Sequence, residues 1–267
     1  MKYILFFLLL PTLCFSQVAK TIIAHNDSLF LKTFDETPDS VLLTPADLLR
    51  IARAKPVLSW DYMAAGVATA NFPTTAIGSG TATYVNTEAG HPGYLTTTSS
   101  TTTNSGNHSY YLNSTALLFF QGNEVYECIY QPKVASNTAT TTRIGFSDAT
   151  TVTDAVDGAY FEIPAGSFAV VGKTANNSSR TTSSTITTLS VNTWYRFRIT
   201  VNSNATSVLF EIYDAAGSLL GSQSNTANIP TTSARLFGAG YISTNSGTVA
   251  TLLGWLDYQS FQLNVNR

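Results

Sequence analysis

The chain has 267 residues and a net charge of −2, with 11% charged residues against 44% hydrophobic ones. That balance excludes a protein that binds nucleic acid by neutralising phosphates, which needs a basic excess, and it excludes a highly charged disordered chain. Polarity comes instead from 40 Thr, 27 Ser and 18 Asn, which favour strands, turns and caps over helix interiors and so disfavour a largely α-helical protein.

The elements follow in chain order. Met1-Lys2 precede an apolar run, Tyr3–Phe15, and a small residue, Ser16. This pattern predicts a signal-peptide-like segment over 1–16, cleaved after Ser16. Pro11 and Cys14 interrupt the run, which is too short for a comfortable membrane span. The expected location is extracellular, at a cell surface or in a virion, with no stable membrane span after processing. The alternative is an apolar segment that stays on as a buried strand or anchor. Removal of the leader leaves Cys128 as the sole cysteine. It excludes an intrachain disulfide, and within EVYECIY the thiol reads as a small buried hydrophobe.

Residues 17–56 read as an N-terminal arm. VAKTIIAHNDSLFLKTF suggests one or two short extended segments, and DETPDS a turn. Thr44 is a good N-cap, Pro45 suits the first helical position, and Leu48, Leu49, Ile51 and Ala52 give an apolar side, so a short helix is expected before Pro56.

From Val57 to the end, 57–267, the pattern is β. In TWYRFRITV, Trp194, Arg196, Arg198 and Thr200 alternate with Tyr195, Phe197, Ile199 and Val201. In VLFEIYD, Val208, Phe210 and Ile212 oppose Leu209, Glu211 and Tyr213. Period 2 is what a half-buried antiparallel sheet requires. DAAGS (214–218) and VNSNAT (201–206) supply hairpin turns. Many such strands, with no solenoid period, predict an all-β fold: a two-sheet antiparallel β-sandwich of jelly-roll type with a short N-terminal arm.

Catalytic motifs are not evident. G-x-S-x-G, H-E-x-x-H and P-loop patterns are absent from the sequence, and His25, His91 and His108 lack a ligand spacing, so neither metal nor cofactor is expected. Glu124 and Glu127 are three apart on a strand and face opposite sides. Glu162 and Glu211 would serve one ligand if both lay on one concave sheet; otherwise they are solvent-facing strand residues. Trp60, Tyr84, Tyr94, Tyr160, Trp194, Tyr241, Trp255 and Tyr258 are candidate platforms for the apolar faces of sugars, or else core and cross-strand aromatics. Arg196 and Arg198 share a face and suit an acidic glycan, or a carboxylate of Glu162 or Glu211. Asp257 lies between Trp255 and Tyr258. The candidate glycan-binding set is therefore Tyr160, Glu162, Trp194, Arg196, Arg198, Glu211, Tyr241 and Asp257.

The stretches GHPGYLTTTSSTTTNSG, TTRIGFSDATTVTDAVDGAYFEI, NTWYRFRITVNSNATSVLFEIYDAAGSLL and ATLLGWLDYQSFQL resemble concanavalin A-like lectin/glucanase sandwich domains, particularly uncharacterised versions in bacteriophage virion and tail-fibre proteins. The resemblance covers about residues 57–263. It departs from the enzymatic branches: the glucanase-like E-x-D-x-x-E strand is missing, GAYFEIPAG only superficially echoes an alginate-lyase strand, and no legume-type calcium loop is evident. What it implies is a non-enzymatic virion or cell-surface structural protein for attachment or decoration, with a glycan as candidate ligand. Its partners would be copies of itself or other surface or virion proteins. The alternative is a secreted polysaccharide lyase, glycoside hydrolase or free lectin.

Overall fold

The structure, a computed structural model, describes residues 19–25, 28–33, 57–61, 74–85, 88, 90–91, 93–111, 118–133, 139–248 and 251–263. The leader and the helix expected before Pro56 lie outside these residues. By its internal contacts the chain divides into Met1–Pro56 and Val57–Arg267. In the first unit, β1 (Ala19–His25) and β2 (Ser28–Thr33) form an antiparallel hairpin.

The second unit holds the remaining strands: β3 (Val57–Asp61), β4 (Thr74–Ile77), β5 (Thr81–Val85), β6 (Tyr94–Thr98), β7 (Ser105–Tyr111), β8 (Val125–Pro132), β9 (Thr140–Ser147), β10 (Gly158–Ile163), β11 (Ala169–Asn176), β12 (Ser179–Thr182), β13 (Thr187–Thr188), β14 (Tyr195–Val201), β15 (Val208–Asp214), β16 (Leu219–Asn225), β17 (Gly238–Asn245) and β18 (Leu252–Gln262). They make two antiparallel sheets. The first runs β12-β11-β10-β9-β17-β7-β4, with β13 on β11; the second runs β16-β15-β14-β8-β18-β6-β5, with β3 on β18. The order alternates distant parts of the chain, as a jelly-roll-like sandwich does. Among the described residues there is no helix, and none long and apolar enough to cross a membrane.

Alternation decides what fills the interior. Tyr195, Phe197, Ile199 and Val201 of β14 are buried, while Arg196, Arg198 and Thr200 are half-exposed. Val208, Phe210 and Ile212 of β15 point inward in the same way. From the first sheet, Phe161 meets Phe197 and Phe210 edge to face, with ring centroids 5.1 and 5.3 Å apart. Such contacts add to the hydrophobic gain of burial. Cys128 faces this core from β8, and burial pushes its thiol far above the ordinary range.

Turns match their sequence signals. Asp214 Oδ1 accepts the Ser218 N–H at 2.8 Å, and Gly217 adopts φ +86°, a left-handed conformation that suits glycine. Glu124 and Glu127 separate as the pleat demands: Glu124 is buried and accepts N–H bonds from Gln121 and Gly122, while Glu127 is on the outer face. Two details differ from the sequence pattern. Thr74–Ile77 forms an edge strand on β7 without any apolar run to announce it. ALLFF (116–120) has the apolar composition of a strand, but its described part, 118–120, makes one isolated bridge, Leu118 to Phe237. There Phe120 packs its ring on Phe146 and Phe237 instead of extending a ladder.

Candidate functional site

Strand register gathers an aromatic patch at one end of the outer face of the second sheet. On β18, Leu256 points into the core, so Trp255 points out, beside Thr96 of β6 and Gln131 of β8. Tyr94 begins β6, and its ring stacks on Trp255 at 4.3 Å and 23°. Trp194 immediately precedes β14; it meets Tyr94 edge to face at 6.1 Å and lies 6.3 Å from Trp255. His91 stacks on Trp194 at 4.0 Å and 18°.

Charged groups frame these rings. His91 Nδ1 lies 2.7 Å from Asp257 Oδ2, with side-chain exposures of 19% and 12%. The register of β18 shifts between Leu256 and Tyr258, and such a bulge re-aims the side chain within it; here that residue is Asp257. Glu88 Oε1 accepts the Trp194 indole N–H at 3.1 Å. Lys133, just after β8, holds its ammonium 3.2 Å from the Trp255 ring centroid and donates to Asn192 Oδ1. Burial lowers the Lys133 pKa, against the opposing pull of Glu88. A cation over an indole is favourable, so Lys133 covers the ring face that Tyr94 leaves free. Among the described residues, Glu88 Oε2, Gln131 Oε1 and Trp255 Nε1 have no hydrogen-bond partner. Buried polar atoms are normally paired, so the patch has unused hydrogen-bonding capacity.

Further along the same face the character becomes ionic. Arg196 lies over the Tyr213 ring, its guanidinium carbon 4.3 Å from the centroid. Arg198 sits in register between Glu127 and Glu211, with its Nε 3.5 Å from Glu127 Oε1. Tyr213 has a raised pKa, from burial first and then from the hydrogen bond and charge of Glu211.

The structure thus brings Trp194, Arg196, Arg198, Glu211 and Asp257 onto one face. It places the other candidates elsewhere. Tyr241 is fully buried between the sheets, where its hydroxyl meets Thr97 Oγ1 at 2.9 Å and burial pushes its pKa up to about 12. Tyr160 and Glu162 lie on the outer face of the first sheet, so Glu162 and Glu211 do not share a surface. Period 2 separates the two faces of one strand but does not say which sheet a strand joins. His91, Glu88 and Lys133 were not part of the candidate set. The only sequence signal for His91 was its turn, Gly90-His91-Pro92-Gly93; nothing local announced the other two.

Around Tyr160 and Glu162 the first sheet carries an ion network. Glu162 Oε2 accepts from Arg143 Nε at 2.9 Å, and its Oε1 lies 2.7 Å from Lys173 Nζ. Asp154, in the connection between β9 and β10, reaches onto the sheet. Its Oδ1 accepts the Tyr160 hydroxyl at 2.6 Å and lies 3.1 Å from Arg143 Nε; its Oδ2 is 3.0 Å from Lys173 Nζ and 3.2 Å from Arg180 Nε. Among the described residues no group of three or more His, Cys, Asp and Glu could hold a metal ion.

Comparison with known proteins agrees with this architecture. A family model described as SO2946-like, C-terminal domain, matches residues 90–256. A protein of unknown function, SO2946 from Shewanella oneidensis MR-1, superposes with a TM-score of 0.66 at 20% identity, covering 87% of this chain and 99% of that one. Lectin II from Ulex europaeus gives 0.56 at 10% identity, covering 79% and 100%. Peanut lectin gives 0.54 at 10% identity, covering 79% and 99%. At these identities the likeness is one of fold. It extends to lectins and a bacterial family, and is not specific to virion or tail-fibre proteins. No curated protein matches the sequence.

Proposed function

The chain belongs to the family of SO2946-like C-terminal domains, and we propose that it is a non-enzymatic, lectin-like attachment module of a cell or virion surface that contacts glycan through the aromatic end of its second sheet. The observation that carries this reading is the grouping of Trp255, Trp194, Tyr94 and His91 with Asp257, Glu88 and Lys133. Sugar recognition needs flat apolar surfaces for C–H faces, with polar groups at their edges for hydroxyls. Tyr94 and Trp194 are 2% and 7% exposed, so a glycan meets the patch at the half-buried Trp255, beside Lys133 and His91. The neighbouring Arg196 and Arg198 favour a glycan with acidic substituents.

Asp257 pairs with His91, and one oxygen of Glu88 accepts the Trp194 indole N–H. The Thr-, Ser- and Asn-rich, charge-poor composition suits an extracellular or assembled surface. Assembly with copies of itself is part of the reading, and light scattering of the purified protein checks it.

A glycan array tests the function. Wild type is expected to give a restricted set of hits, and Trp255→Ala to lose them by at least tenfold. A blank array, or hits indifferent to Trp255→Ala, would contradict the proposal; cleavage of a polysaccharide would move the protein to the enzyme class.

A further inference from the structure

We propose that Arg143, Tyr160, Lys173 and Arg180 form a second ligand site, a receptor for an organic carboxylate, which Asp154 fills from within the chain. The site lies on the first sheet and does not depend on the aromatic patch.

The geometry is that of carboxylate recognition. Four side chains from four adjacent strands, β9, β10, β11 and β12, converge on the two oxygens of one carboxylate, each within 2.6 to 3.2 Å. Charge-assisted contacts of this kind are strong and directional. The group they hold is not part of the sheet. Asp154 arrives from the connection 148–157, which leaves and returns at a single rung, Ser147 opposite Gly158. With Asp154 set aside, three cations face one carboxylate, Glu162, which is already shared between Arg143 and Lys173. The sheet therefore carries a cationic surplus that an external anion satisfies as Asp154 does. Burial alone would raise the Asp154 pKa; the Tyr160 hydrogen bond and the charges of Arg143 and Lys173 outweigh it and hold the carboxyl below its ordinary value. The surroundings thus favour the ionised form.

Access is available. The Asp154 side chain is 26% exposed, so a solute reaches its edge. The connection has its own anchors: Asp148 Oδ1 accepts the N–H groups of Val156 and Asp157, and Arg143 and Arg180 donate to its backbone carbonyls. Release of the Asp154 carboxylate gives up one more contact, the Ala155 N–H on its Oδ1 at 3.0 Å, and need break none of those anchors. A tethered group competes at an effective concentration of about millimolar or above, so an external carboxylate binds the wild type weakly and binds tightly once the competitor is removed.

The test titrates wild type, Asp154→Ala and Asp154→Asn with acetate, glucuronate and glucose, following backbone amide shifts and melting temperature. Acetate and glucuronate separate recognition of a bare carboxylate from that of a sugar-borne one, and glucose controls for neutral sugar. Expected are weak, saturable shifts at 148–157 in the wild type with the carboxylates alone. Affinity should rise about tenfold or more in Asp154→Ala, and that gain should be lost when Lys173→Met is added. Asp154→Asn keeps the shape and serves if the alanine variant does not fold. A folded variant that binds neither carboxylate overturns the proposal. So does a variant that binds while the wild type shows no response, since Asp154 would then be a fixed lock.

Discussion

His91 Nδ1 lies 2.7 Å from Asp257 Oδ2, closing a contact between residues 166 positions apart. It ties the connection before β6 to the bulge of β18 and holds the imidazole flat against Trp194. Asp257→Asn keeps the shape but removes the charge. We expect a loss of about 1.5–3 kcal/mol, the usual scale for a hydrogen bond to a charged group, read from urea denaturation. Glycan retention should weaken as well, because the imidazole loses its anchor.

The core sets a second expectation. Phe197 touches rings from both sheets, Tyr130 from its own and Phe161 from the opposite one. Phe197→Ala should cost about 3–5 kcal/mol, with a lowered urea midpoint as the readout.

Gly145 carries a third. It has φ +137°, and a Cβ there would lie 2.5 Å from Ile199 Cδ1 and 2.7 Å from the Ala159 carbonyl oxygen. Gly145→Ala therefore combines backbone strain with overpacking, at about 2–4 kcal/mol. Gly217→Ala has open space around it and should cost less, about 1 kcal/mol from φ alone. Comparing the two melting temperatures separates the causes.

The pH dependence has two windows. Burial lowers the His108 pKa from its ordinary 6.5. The unfolded chain then takes up a proton that the folded one refuses, so stability is full above about 6.5 and falls as pH drops below it. Asp154 is held below 3.8, so its contribution is present above that value and is lost as pH falls through the lower, folded one. Asp154→Asn should flatten the acid limb and leave the upper window unchanged; His108→Gln should do the reverse. Urea midpoints across pH 2 to 8, a range of about six units, check both.

Cys128 supplies a chemical test. Its sulfur is buried and its thiol far above the ordinary range, and thiolate is the reactive form. A thiol reagent should leave Cys128 unmodified in the native protein and label it in urea, as peptide mapping would show.

The sandwich was legible because its strands are half-buried. In β14 and β15 the burial of Phe197 and Phe210 beside the exposure of Arg198 and Glu211 follows directly from period 2. The site was legible only in part, because face and sheet are different questions. Trp194, Arg196, Arg198, Glu211 and Asp257 meet through the pairing of β14 with β15 and β8, and of β8 with β18. The β14–β15 hairpin is local, but the other two pairings join segments far apart in the chain. Tyr241 looked like a platform, yet its strand turns it inward to Thr97. Lys133 was silent because a lone lysine after a strand has no pattern to mark it; its role comes from Trp255, which β18 brings alongside.

Glycan contact at Trp255 is tested by a titration of wild type and Trp255→Ala with the strongest array ligand, following tryptophan fluorescence and calorimetric heat together. Expected are saturable binding by the wild type, with a fluorescence change, and a loss of at least tenfold in affinity for Trp255→Ala while Asp154→Asn still binds that ligand. Equal affinity in wild type and Trp255→Ala, with both proteins folded, would contradict it.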